Sequence, residues 1–301
     1  MERVWGGRRL AELFGKHLPS GTRIGESWEI VDRPEAQSTV RDGPWRGRTL
    51  HELWQNHRAE VFGAIADAPR FPLLVKLLDA QTILSLQVHP PSQMAAELEG
   101  EPKTELWYIA HAEPAAEIYA GLKKGTSRAR LEAALTNGTV AEEIHRLPVR
   151  TGDAMFLPSG RLHAVGAGNV IVEIQENSDT TYRVFDWNRR EPDSLPRTLH
   201  LAEAFRSIDF ADFEPALLPS TSGESLVKNP LFDVEKWNLA TEREVSPAGT
   251  FAIVGCLAGQ VECAGAELKP GEFFLVPAAL AGRRLRPTAP ETTLLRVTIQ
   301  N

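Results

Sequence analysis

Gly152-Asp153-Ala154-Met155-Phe156-Leu157-Pro158-Ser159-Gly160-Arg161-Leu162-His163 is the stretch on which the fold reading turns. A glycine opens a turn, four apolar residues follow without a polar break, and a proline then ends the strand they predict. The frame returns once, at Gly271-Glu272-Phe273-Phe274-Leu275-Val276-Pro277. After its proline the first copy runs through Ser159, Gly160, Arg161 and Leu162 to His163, whereas the second runs through Ala278, Ala279, Leu280 and Ala281 to Gly282. Such an internal repeat predicts two similar β-barrels in one chain, the second having kept the strand and lost the histidine.

Outward from these two points, short apolar runs rich in Val, Ile, Leu and Phe alternate with Gly and Pro, the pattern of a barrel or sandwich. Strands are predicted at Pro72–Leu78, Ile83–Val88, Glu105–Ile109, Ala154–Leu157, Val170–Ile174, Phe251–Leu257 and Phe273–Val276. Helical spacing is confined to Thr49–Phe62, Met94–Leu98 and Ser127–Ile144. The last begins at an N-cap serine and reads as a helical insertion, around 117–148, in a mainly β chain. The expected domains are residues 1–210, which would bind metal, and 229–301, which would not; Ser207–Lys228 is the crossing.

Composition narrows the function. With 301 residues, 42% of them hydrophobic, the chain has ample material for a core. Its 33 Lys and Arg against 40 Asp and Glu give a formal charge of -7, with no basic block to follow a phosphate backbone, so no nucleic-acid partner is expected. Cys256 and Cys263 are too few for a disulfide framework and match no thiolate metal box, which fits a reducing, cytoplasmic setting. No run approaches the roughly 18 apolar residues of a membrane span, and the N-terminus has no apolar signal core. In a cytoplasmic chain Asn137-Gly138-Thr139 is a turn rather than a glycosylation site.

Four residues suggest a metal. Gln87 and His89 end an apolar run, and in a strand residues two apart share a face; Pro90-Pro91 leaves both near the rim. Glu105 opens Leu106-Trp107-Tyr108-Ile109, and His163 closes the repeat frame. Two imidazoles, a carboxylate and an amide oxygen are a donor set suited to zinc in a site with a further position open to substrate. A single anionic ligand leaves the divalent ion a formal +1, enough for a Lewis acid toward a carbonyl or enediolate.

Gly-x5-Pro-x-Gly-x2-His over Gly152 to His163 resembles the second motif of the cupin superfamily, and Gln87-x-His89 stands where its first motif usually has His-x-His. The expected fold is therefore two cupin, jelly-roll-like barrels. Asn169 lies later than that pattern places its asparagine, so no role is transferred to it. Within cupins the chain resembles the type I mannose-6-phosphate isomerases, short bacterial branch, over most of its length. Trp5-Gly6-Gly7, Gly25-Glu26-Ser27-Trp28-Glu29, Pro72 to Lys76, Leu84 to Pro90, Lys103-Thr104-Glu105 and above all Glu173 to Arg183 carry the resemblance.

That resemblance implies one zinc per chain held by Gln87, His89, Glu105 and His163, an active-site arginine at Arg183, and interconversion of mannose 6-phosphate and fructose 6-phosphate through a cis-enediolate. Arg183 would stabilise the developing negative charge or grip phosphate. By family position Glu173, Lys76 and Lys103 are the candidate proton carriers, a lysine beside zinc being depressed toward a neutral base, and Lys76 is with Ser85 a candidate for binding substrate. Alternatively Glu173 pairs with the base, and Lys76 buries its stem with its amine in solvent. Ser85 faces the same side as Gln87 and either meets phosphate or caps the strand. The rival readings are a non-catalytic sugar-phosphate-binding cupin and a metal-dependent oxygenase, for which three histidines would be usual. A small-molecule sugar phosphate is the only partner expected of a monomer or homodimer.

Overall fold

The computed structural model describes residues 1–189, 196–219 and 224–299. Two compact units emerge: Met1–Gly7 with Gly21–Glu26 and Leu78–Leu218, and Arg8–Ser20 with Ser27–Leu77 and Pro219–Asn301. Each contains a pair of antiparallel sheets around an apolar interior, the mainly β architecture expected.

In the first unit, strand Glu105–Ala112 lies between Ala154–Leu157 and Asn169–Glu176. The facing sheet runs, in order, Tyr182–Phe185, Leu86–Val88, His163–Val165, Glu117–Leu122 and Ile144–Pro148. Alternation sends Trp107, Ile109, Met155 and Ile171 from one sheet and Ile118, Ala120 and Val165 from the other into a shared interior. The outer face of the second sheet, with Leu86, Val88, Ala164 and Val184, is covered by Leu131, Ala204 and Phe205 from two helices.

Those helices are Arg128–Asn137 and Leu201–Ser207. The first is capped by Ser127, whose hydroxyl accepts the Arg130 N–H at 3.2 Å, and ends at Gly138 with φ 74°. The insertion is thus shorter than the sequence pattern predicts. Helical spacing continues through Val140 and Ile144, but the left-handed glycine stops the helix, and Val140–Glu142 is a single 3-10 turn. The flanks of 117–148, Glu117–Leu122 and Ile144–Pro148, are paired strands. The sequon Asn137-Gly138-Thr139 is this helix terminus. Upstream, the strand expected over Ile83–Val88 is limited to Leu86–Val88, leaving Ser85 just before it.

In the second unit the repeated frame occupies the same place. Phe273–Val276 is the edge strand beside Ala252–Ala258, just as Ala154–Leu157 is the edge strand beside Glu105–Ala112. Trp237, Val254, Cys256, Val261, Leu285 and Leu294 fill its interior. The helical segment read at Thr49–Phe62 also belongs here, as Leu50–Asn56 and Arg58–Val61; Thr49 and Glu52 form a capping box. Trp54, Phe62, Phe71 and Phe251 pack ring against ring.

Candidate metal centre

Three neighbouring strands of the first unit carry Gln87, His163 and Arg183 at matched positions: Gln87 lies opposite His163 on one side and opposite Arg183 on the other. Residues directly opposite on antiparallel strands project to the same face. His89 follows the end of the Gln87 strand, and Glu105 begins a strand of the facing sheet. His89, His163 and Glu105 are all fully buried. His163 Nε2 is 3.2 Å from Glu105 Oε1, and His89 Nε2 is 3.8 Å from Glu105 Oε2. Among the described residues these three form a group whose ligand atoms all lie within 4.8 Å of one another.

The backbone decides which nitrogens face inward. His89 Nδ1 lies 2.8 Å from the Thr180 carbonyl and His163 Nδ1 lies 2.9 Å from the Arg161 carbonyl. A carbonyl only accepts, so each Nδ1 donates its proton and each Nε2 keeps its lone pair toward Glu105. Burial pushes His163 down to about 4 despite the hydrogen bond to Arg161, which pulls the other way, so the ring is a neutral donor near pH 7. Gln87 Nε2 stands 3.3 Å from His163 Nε2, and a half-turn of the amide puts its oxygen there. Two nitrogen lone pairs, a carboxylate and an amide oxygen fit a zinc ion.

Lys103 and Glu173 join this cluster. Lys103 Nζ is 2.7 Å from Glu105 Oε2 and 3.8 Å from Glu173 Oε1. Burial alone would lower the ammonium, but Glu105 and then Glu173 outweigh it and hold it above its ordinary range. Its nearest charged neighbours are thus the two carboxylates. Glu173 sits opposite Trp107 and accepts its indole N–H at 3.0 Å. The Trp107 ring is edge-on to His163, centroids 5.3 Å apart.

Arg183 donates Nη1–H to the Thr198 carbonyl at 2.7 Å, and burial followed by the like charge of Arg197 lowers its pKa. Ser85 is buried just ahead of the Gln87 strand. Lys76 is part of the second unit, its ammonium 4.8 Å from the Trp28 ring centre. Asn169, to which no role was transferred, is structural: its amide donates to the Glu117 and Gly166 carbonyls, both at 3.0 Å.

Trp107 was not singled out from sequence, although the alternation from Glu105 places it on the same inward face. The carbonyls of Thr180 and Arg161 carry no residue-type signal. Nor does anything in the sequence link Arg161 to Asp212, whose carboxylate takes both ends of its guanidinium at 2.8 and 2.7 Å.

Residues 1–101, which include Gln87 and His89, match the family described as phosphomannose isomerase type I, catalytic domain. The mannose-6-phosphate isomerase of Streptococcus mutans serotype c is 37% identical over 286 residues, covering 92% of this chain and 89% of its own length. The crystal structure of the mannose 6-phosphate isomerase from Bacillus subtilis superposes with a TM-score of 0.88 at 35% identity, covering 99% of this chain and 97% of that one. A mannose 6-phosphate isomerase crystallised with zinc and yttrium shares the fold at a TM-score of 0.74 and 20% identity, covering 100% of this chain and 97% of the other.

Proposed function

This chain is an enzyme of the type I mannose-6-phosphate isomerase family, and on that premise we propose that it interconverts mannose 6-phosphate and fructose 6-phosphate as a zinc-dependent aldose–ketose isomerase, through a cis-enediolate. The observation that carries the proposal is the convergence of His89 Nε2, His163 Nε2 and the Glu105 carboxylate within 4.8 Å, each imidazole turned by a backbone carbonyl. Bound there, zinc would supply a Lewis acid for the negative charge that develops on the sugar oxygens.

The remaining roles belong to side chains. Gln87 would complete the ligand set without adding charge. Arg183, on the strand next to Gln87, would meet enediolate charge or phosphate with its planar fork. Isomerisation removes a proton from C2 of the open-chain aldose and returns one at C1, while the hydroxyl proton passes between O2 and O1. Glu173 and Lys103, with 3.8 Å between their charged groups, are the pair positioned to carry protons. Ser85, buried just ahead of the Gln87 strand, remains the candidate for phosphate. Two free, buried cysteines suit a reducing compartment, and we assign the enzyme to the cytoplasm.

Turnover in deuterium oxide tests the enediolate. Solvent deuterium should enter the position that receives the proton. Product and substrate that reach equilibrium with no label on either carbon would count against an enediolate whose proton carrier exchanges with solvent.

A further inference from the structure

We infer that Asp212 is a positioning residue for the metal centre, acting on His163 through Arg161; this rests on the reading of His163 as a ligand. The Asp212 carboxylate receives Arg161 Nε at 2.8 Å and Nη2 at 2.7 Å, one nitrogen on each oxygen. Arg161 Nη1 donates to the Phe156 carbonyl at 2.7 Å. Both side chains are mostly enclosed, 14% and 16% exposed, so the pair is a fixed, two-pronged contact rather than a surface ion pair. The guanidinium of Arg161 is anchored in this way, and its carbonyl takes the His163 Nδ1 proton at 2.9 Å.

The surrounding backbone makes this turn stiff. Arg161 N–H bonds to the Pro158 carbonyl at 3.1 Å, and Gly160 has φ 93°, a left-handed conformation natural to glycine. Asp209 N–H bonds to the Gly160 carbonyl at 2.9 Å, and the Asp212 carbonyl accepts the Leu122 N–H at 2.9 Å. Gly160 N–H donates to the carbonyl of His89 itself at 3.0 Å. One turn therefore touches both histidines, and Asp212 holds it from outside the ligand set. Without that carboxylate, the enclosed Arg161 loses its counter-charge and is drawn toward water. The carbonyl that fixes the His163 tautomer then moves with it. Partners of this kind typically change metal affinity by about 10–100-fold.

The test uses the full chain as Asp212→Asn and Asp212→Ala, with Arg161→Ala, the Arg161→Ala/Asp212→Ala double variant, and Glu262→Ala, which breaks a Glu262–Arg286 pair in the second unit. Two quantities are read: the His163 tautomer by imidazole nitrogen NMR on metal-free protein, and zinc affinity by chelator competition. The expected result is a single Nδ1–H tautomer in wild type and Glu262→Ala, and a mixed or broadened one in both Asp212 variants. Zinc should bind them about 10–100-fold more weakly, and the double variant should lose no more than Arg161→Ala alone. A shifted tautomer in protein whose wild type has no zinc affinity would remove the metal reading and leave the positioning role standing. An unchanged tautomer in Asp212→Ala overturns the inference whatever zinc does, as does a double variant whose loss is the sum of the two.

Discussion

Gln87 and His163 face each other across neighbouring antiparallel strands, the Gln87 amide nitrogen 3.3 Å from His163 Nε2. The facing sheet contributes one carboxylate, Glu105, 3.2 Å from the same nitrogen. A metal in this site would be held by one negative charge, and Gln87 is the position at which a second would most easily appear.

Gln87→Glu should therefore keep zinc and lose turnover, about 10-fold or more, because the formal charge on the ion falls from +1 to 0. Gln87→His should also keep zinc, and lose less, because the charge stays. Metal content and kcat measured side by side decide it. A glutamate variant with zinc bound and wild-type kcat would show that ligand charge is not what this position controls.

Arg183→Lys should lower kcat by about 100-fold with metal content unchanged, since lysine keeps the charge and loses the planar fork. The present guanidinium already uses Nη1 on the Thr198 carbonyl, an orientation that a lysine would not reproduce in the same way. Near-normal turnover of mannose 6-phosphate by the lysine variant would remove Arg183 from the proposed role.

Trp107→Phe keeps most of the apolar volume and deletes the 3.0 Å N–H donor to Glu173. Leaving that buried carboxylate short of a donor costs about 1–3 kcal/mol. The expected outcome is lower stability in urea and a kcat reduced by about 10-fold, with zinc still bound. Loss of zinc together with activity would mean that the ring acts on His163, against which it packs, rather than on Glu173.

Burial pushes the thiols of Cys256 and Cys263 up to about 11. Both are then neutral at pH 8, and alkylation of the native protein should run about 100-fold slower than in urea. The sign for stability follows: the unfolded thiols ionise at their ordinary, lower pKa, so their contribution is complete below that value and is lost as pH rises toward 11. Equal alkylation rates in native and unfolded protein would contradict the burial.

How much of this was visible beforehand depends on where each constraint is encoded. His163 was legible because it follows at a fixed spacing the strand Ala154–Leu157, which a Gly and a Pro bracket, and Phe273–Val276 was legible by the same bracket at the same place in the second unit. Gln87, His89 and Glu105 stand at strand ends, where alternation assigns a face. Helix length was misread because Val140 and Ile144 keep helical spacing after Gly138 has already reversed the chain. The contacts of Lys103 were not legible because its partners, Glu105 at 2.7 Å and Glu173 at 3.8 Å, come from two different strands. The carbonyls of Thr180 and Arg161, and the hold of Asp212 on Arg161, are tertiary contacts with no local pattern to announce them.

The most direct measurement follows fructose 6-phosphate formed from mannose 6-phosphate while zinc is titrated into chelator-stripped wild type and His163→Ala protein. Wild type should start near zero and reach full rate at about one zinc per chain, and His163→Ala should stay inactive at that stoichiometry. Full activity in stripped wild type, or zinc-dependent recovery in His163→Ala equal to that of wild type, would contradict a metal-dependent isomerase built on His89, Glu105 and His163.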